Sequence, residues 1–170
     1  NVVAILSSTK NNANLAAKQL LNEYGLAAKP YWNLNDLLEM RLDAVSICTP
    51  PLLHYSHILA SFENEVAVFC EKPLFWTNGS SIQRKKMLNQ LKSHPNRRLI
   101  MNISNSLFID KIREKAPHPE DVENFYFQFN THGSNKDKNI LIDLLPHGIS
   151  LLQSFFGSRP IKNTEFIFSS

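Results

Sequence analysis

The chain reads as an α/β protein built on a doubly wound parallel sheet, and three observations predict it. Short apolar runs alternate regularly with helical segments from Asn1 to Ile103. Regular strand–helix alternation is the signature of parallel strands joined by helical crossovers. Two of those runs end in polar residues followed by proline, at Cys48-Thr49-Pro50 and at Glu71-Lys72-Pro73. In an open α/β sheet, ligands bind outside the carboxyl ends of the strands, so both endings point at one site. Beyond about residue 102 the alternation stops and the pattern becomes that of a second, α+β unit.

The elements follow in order. Asn1 to Leu6 is an apolar strand that closes at Ser7-Ser8. Asn14 to Tyr24 places Leu15, Ala16, Leu20 and Leu21 at helical spacing, and Gly25 marks the stop. Tyr31-Trp32 is a short strand, and Asn35 to Glu39 a capped helical turn. Asp43 to Cys48 is a strand, His54 to Asn64 a helix, Val66 to Cys70 a strand, Gly79 to Ser93 a helix and Arg98 to Ile103 a strand. Further on, Ser106 to Lys115 reads as a helix and Val122 to Thr131 as a strand. In that strand Phe125, Phe127 and Phe129 share one face, and Tyr126, Gln128 and Asn130 the other. Leu144 to Phe156 is an apolar helix closed by Gly157, and Thr164 to Ser169 a last strand. The division predicted is 1–102 for the first unit and 103–170 for the beginning of the second.

Composition narrows the function classes. Hydrophobic residues make up 43% and charged residues 19% of 170, which suits a globular chain with a core. The net charge is +3, and its densest basic cluster, Arg84-Lys85-Lys86 with Lys92 and Arg97-Arg98, reads as a solvated helix face rather than a nucleic-acid footprint. There is no run of membrane-spanning length and no signal-peptide pattern at Asn1. Cys48 and Cys70 fall within strands with no CxxC spacing, so both are expected as reduced core thiols in a cytoplasmic protein. The six histidines show no metal-ligand spacing with cysteines or carboxylates, and no metal site is expected.

A dinucleotide fold opens with a strand, a Gly-x-Gly-x-x-Gly turn and a helix that receives the pyrophosphate. The five glycines are dispersed, so that turn is not in this sequence. If the first run is the second strand of the order 3-2-1-4-5-6, the central strand is missing, and a fragment of a longer chain is the expectation. Ser7, Ser8 and Lys10 then stand where cofactor preference is decided. An acid at this strand end would bind the ribose hydroxyls of NAD; small hydroxyls and a lysine suit the 2′-phosphate of NADP, which is preferred here over NAD.

The order Thr49-Pro50-Pro51-Leu52-Leu53-His54, helix, strand, Glu71-Lys72-Pro73, and later Asp143-Leu144-Leu145-Pro146-His147 resembles the Gfo/Idh/MocA family (glucose-fructose oxidoreductase, inositol dehydrogenase, rhizopine catabolism) over residues 1 to about 157. The resemblance implies a Rossmann domain binding NAD or NADP, and a second domain that presents a sugar-like or other small alcohol or carbonyl substrate and mediates homo-oligomers. It implies Lys72 as catalytic lysine, His147 as general acid/base with Asp143 beside it, and Thr49, Pro50, His54, Glu71 and Lys72 around the cofactor. For His54, packing fits as well as cofactor proximity, and Asp143 is read either as a helix N-cap, with His147 in the first turn after it, or as a site residue. A family member that has lost catalysis and serves as a binding or oligomerisation module is the alternative; the joint presence of Lys72, Asp143 and His147 speaks for the enzyme.

Overall fold

A computed structural model describes residues 1–103, 108–115, 118, 126, 128 and 138–157. The first half alternates as expected: β1 (Ala4–Leu6), α1 (Lys10–Tyr24), β2 (Lys29–Tyr31), α2 (Leu34–Leu38), β3 (Ala44–Ile47), α3 (Pro51–Glu63), β4 (Ala67–Cys70), α4 (Ser81–Ser93) and β5 (Leu99–Met101). Two helices follow, α5 (Ile109–Lys115) and α6 (Lys138–Phe156). The predicted strands Val122 to Thr131 and Thr164 to Ser169 lie outside the described residues, apart from isolated positions 126 and 128.

Local chemistry sets the helix ends. The Thr9 hydroxyl accepts from the Asn12 amide at 3.2 Å and caps α1, four residues before the predicted start. Gly25 takes φ 68° and returns its amide to the carbonyls of Leu20 and Leu21, a left-handed cap that a side chain would strain. Asn33 caps α2 and Ser80 caps α4, through the amides of Asn35 and Gln83. Helix α3 begins at Pro51, whose missing N–H is one the first turn leaves unbonded in any case.

All described strand pairs are parallel, in two sheets: β1 with β2, and β3-β4-β5. Between them, β1 and β3 line opposite walls of a cleft of about 660 Å³. Among the described residues β1 and β3 are not paired with each other. In the larger sheet Val45 sits against Val68 and Ile47 against Cys70, while Val68 meets Leu99 and Cys70 meets Met101. Helix α3 covers one face, and Ile47, Ile58, Phe62, Val68, Cys70 and Leu91 form the core, flanked by Tyr55, Leu59, Leu74 and Phe75.

Three expectations need correcting. Cys70 is buried, but Cys48, past the end of β3, is exposed, because the strand stops at Ile47 and leaves the thiol at the mouth of the crevice. Asp143 does not cap a helix: α6 begins at Lys138, so Asp143 and His147 lie inside it, four residues apart on one face. In the basic cluster Lys85, Lys86, Lys92, Arg97 and Arg98 are exposed as expected, and only Arg84 departs: half-buried, its guanidinium lies 5.5 Å from the Trp76 ring and donates to the Gly79 carbonyl at 2.7 Å. Pro146 is also internal to α6.

Phe62 is fully buried at the centre of this core. Phe62→Ala is expected to lower stability by about 3–5 kcal/mol in urea unfolding, through lost transfer energy and an unfilled cavity.

Candidate active site

Each strand of the larger sheet delivers one polar residue to the same end of the sheet. The ladder continues one step beyond the regular strands: the Glu71 amide donates to the Ile47 carbonyl at 2.9 Å, and the Asn102 amide to the Cys70 carbonyl at 2.7 Å. Glu71 and Asn102 are thereby held at fixed backbone positions, and the Asn102 side-chain amide donates to the Glu71 carboxylate at 2.6 Å. Asn102 was not among the residues singled out from sequence. Its signal was available, since it is the first polar residue after β5, the position that Glu71 holds after β4.

Lys72 leaves β4 through a cis peptide to Pro73, and its ammonium donates to the Asp143 backbone carbonyl at 2.9 Å and to the Asp143 carboxylate. Residues 71 positions apart are thus tied together, and α6 is anchored over the sheet end. The lysine side chain is 19% exposed and the aspartate 42%. His147 stands one turn along α6 from Asp143. Burial holds its pKa below the ordinary histidine range, with the Lys72 charge adding to the effect and Asp143 and Glu71 opposing it. An imidazole kept neutral beside an ammonium is a poised proton acceptor.

His54 is 1% exposed. One ring nitrogen lies 2.6 Å from the Thr49 carbonyl and the other 2.8 Å from the Pro73 carbonyl. The ring spans the ends of β3 and β4, the two segments that carry Thr-Pro and Glu-Lys-Pro. Its nitrogens face backbone rather than open space, so the structure places it as a brace between these segments. The Cys70 sulfur lies 3.5 Å from the same ring. Burial pushes that thiol up to about 11, with Cys48 and Glu71 contributing in the same direction.

Thr49 follows β3, and Pro50 precedes the first residue of α3. The Thr49 hydroxyl is buried, with no hydrogen-bond partner among the described residues, and Thr49 lines the cleft between the two sheets. A buried hydroxyl beside a cleft is a ready partner for a polar ligand atom. Ser7, Ser8 and Lys10 follow β1, in the other sheet from the strands that carry the Lys72 group; the Ser7 amide donates to the Tyr31 carbonyl at 3.0 Å. The ten sequence-derived positions therefore fall into two groups, one gathered at Lys72 and one at Ser7 to Lys10, with Thr49 at the cleft. The hydroxyls and ammonium after β1 and the buried Thr49 hydroxyl are donors of the kind a dinucleotide's phosphates and ribose would take. Among the described residues no group of three potential ligands could hold a metal ion.

Residues 1–102 match the family described as an oxidoreductase family with an NAD-binding Rossmann fold, Gfo/Idh/MocA. The chain belongs to the Gfo/Idh/MocA family. Solved structures that share the fold include the following three. The 3-ketoreductase KijD10 from Actinomadura kijaniata, in complex with TDP-benzene and NADP, is 23% identical with a TM-score of 0.51, over 69% of this chain and 34% of that one. Myo-inositol 2-dehydrogenase from Lactobacillus plantarum is 24% identical, with a TM-score of 0.51 and the same coverage of 69% and 34%. An NAD binding oxidoreductase from Klebsiella pneumoniae is 22% identical, with a TM-score of 0.52, over 68% of this chain and 30% of that one. This Gfo/Idh/MocA chain spans about a third of the length of these relatives.

Two outcomes test this geometry. His54→Leu roughly keeps the volume but removes the ring N–H that one of the part-buried Thr49 and Pro73 carbonyls accepts, so urea unfolding is expected to show a loss of about 1–3 kcal/mol. Alkylation with iodoacetamide at pH 8, mapped by mass spectrometry, is expected to label Cys48 and to spare Cys70 until the protein is unfolded.

Proposed function

We propose that this chain provides the cofactor-binding and proton-handling part of an NAD(P)-dependent oxidoreductase acting on a hydroxyl or carbonyl of a sugar-like substrate. The observation that carries the reading is the meeting of Glu71, Lys72, Asp143 and His147 at the carboxyl ends of parallel strands, beside the Thr49 crevice. The nicotinamide, when bound, supplies the hydride chemistry. The chain must hold the cofactor, orient the substrate oxygen and move one proton. Thr49 and the Ser7 to Lys10 segment are the groups assigned to the cofactor, with NADP preferred because no carboxylate stands at the end of β1. Glu71 and Pro50 shape the wall next to it.

In the oxidation direction His147 takes the hydroxyl proton at its imidazole. Lys72 donates a hydrogen bond to the oxygen as negative charge develops there. Asp143 fixes where the ammonium stands, and His54 fixes the segment that carries it. The relatives bound to TDP-benzene and NADP, and named for myo-inositol, support a polyhydroxylated or nucleotide-linked substrate. Residues 103–170 are assigned to the beginning of a substrate domain, and a homo-oligomer is expected from that assignment.

The first test is a titration of the natural-length protein with NADPH and NADH, following energy transfer from tryptophan. Micromolar, saturable binding is expected; no binding by a folded protein would leave the non-catalytic module in its place. With NADP and a panel of polyols including myo-inositol, His147→Asn is expected to lower kcat by about 10²–10⁴. The pH dependence has a definite sign. The base must be neutral to act, and its pKa lies below the ordinary 6.5. Oxidation should therefore hold its rate down through pH 6.5 and fall only on further acidification, and that acid limb should vanish in the Asn variant.

A further inference from the structure

Lys10 and Trp32 form a pair that folding does not account for. Lys10 is the first residue of α1, and there is no acidic residue in that turn. A cation at a helix N-terminus stands at the positive end of the macrodipole, which disfavours it. Among the described residues no carboxylate pairs with it. Its ammonium lies instead over the Trp32 ring, 5.2 Å from the centroid. Trp32 follows β2 directly and is 48% exposed, although its neighbour Tyr31 is buried at 9%. An indole left open to water contributes little to the core, and a lysine so placed works against its own helix.

Together, however, they build a fixed positive point beside Ser7 and Ser8. β1 and β2 are paired in register through Leu6 and Tyr31, and the Ser7 amide extends the ladder to the Tyr31 carbonyl. The residues just after the two strands are therefore neighbours by construction. A flexible lysine would lose side-chain entropy on meeting an anion; the aromatic face holds the ammonium before the ligand arrives.

We infer that Trp32 is a specificity-determining positioning residue, which holds Lys10 where the 2′-phosphate of NADP would be bound. This rests on the cofactor reading above and adds to it the residue that makes the lysine selective. Trp32 acts through Lys10, so its removal should weaken NADPH and leave NADH unchanged.

The experiment is a double-mutant cycle read by isothermal titration calorimetry on the full chain, with NADPH, NADH and adenosine 2′,5′-bisphosphate as probes. Trp32→Leu is expected to weaken NADPH and the bisphosphate about two- to fivefold, the range an exposed cation–π contact supports. Trp32→Phe, which keeps a weaker ring face, is expected to fall between. Lys10→Ala should weaken both phosphorylated probes by on the order of tenfold, and adding Trp32→Leu to it should change nothing further. Equal losses for NADPH and NADH in Trp32→Leu would overturn the inference and make Trp32 a platform for the base. A loss that persists in the Lys10→Ala background would overturn it as well. Thermal melts followed by circular dichroism check that each variant is folded. Failure of the unaltered protein to bind either dinucleotide would reject the cofactor reading itself, whereas binding of both with no effect at Trp32 would reject the inference alone.

Discussion

The structure depends on the parallel ladder of β3, β4 and β5 continuing one residue past β4 and β5. Backbone hydrogen bonds leave no lateral freedom at Glu71 and Asn102, since each amide is committed to the carbonyl of the neighbouring strand. A side chain emerging there inherits the rigidity of the sheet without being buried in it. Parallel sheets create this condition at one end only, because every strand points the same way. The polar residues of the site are accordingly gathered by topology, with little demand on loop conformation.

His54 supplies the second constraint. Strand ends diverge with the twist of a sheet, and the loops that leave them tend to separate. A buried ring spanning the Thr49 and Pro73 carbonyls closes that divergence from below. The brace belongs to α3, so the helix that covers the core also registers the two loops. Core packing around Ile58 and Phe62, in the same helix, is thereby coupled to the placement of Lys72.

Most of the architecture was legible in the sequence because strand and helix periods are local signals. The five strands and four helices of the first half were each anticipated, with ends displaced by a few residues where caps decide: Thr9 starts α1 earlier than the leucine spacing, and Pro51 starts α3 before His54. Asp143 was misjudged as a possible cap because Leu144 to Phe156 carries the clearest apolar spacing, while the helix itself reaches back to Lys138. Cys48 was placed in the core because an apolar run does not show where its strand stops. The Lys72–Asp143 contact, the His54 brace and the Lys10–Trp32 pair join distant positions, and no local pattern contains them. Glu71 and Lys72 were found through the strand-end rule; Asn102 obeys the same rule but lacks a flanking proline to draw the eye.

The ion pair between Lys72 and Asp143 has a geometric consequence. An ammonium carries three protons arranged about one axis. The backbone carbonyl and the carboxylate of Asp143 occupy two of those directions. What remains is one donor vector, fixed relative to the sheet on one side and to α6 on the other. Such a lysine offers one aimed hydrogen rather than a diffuse charge.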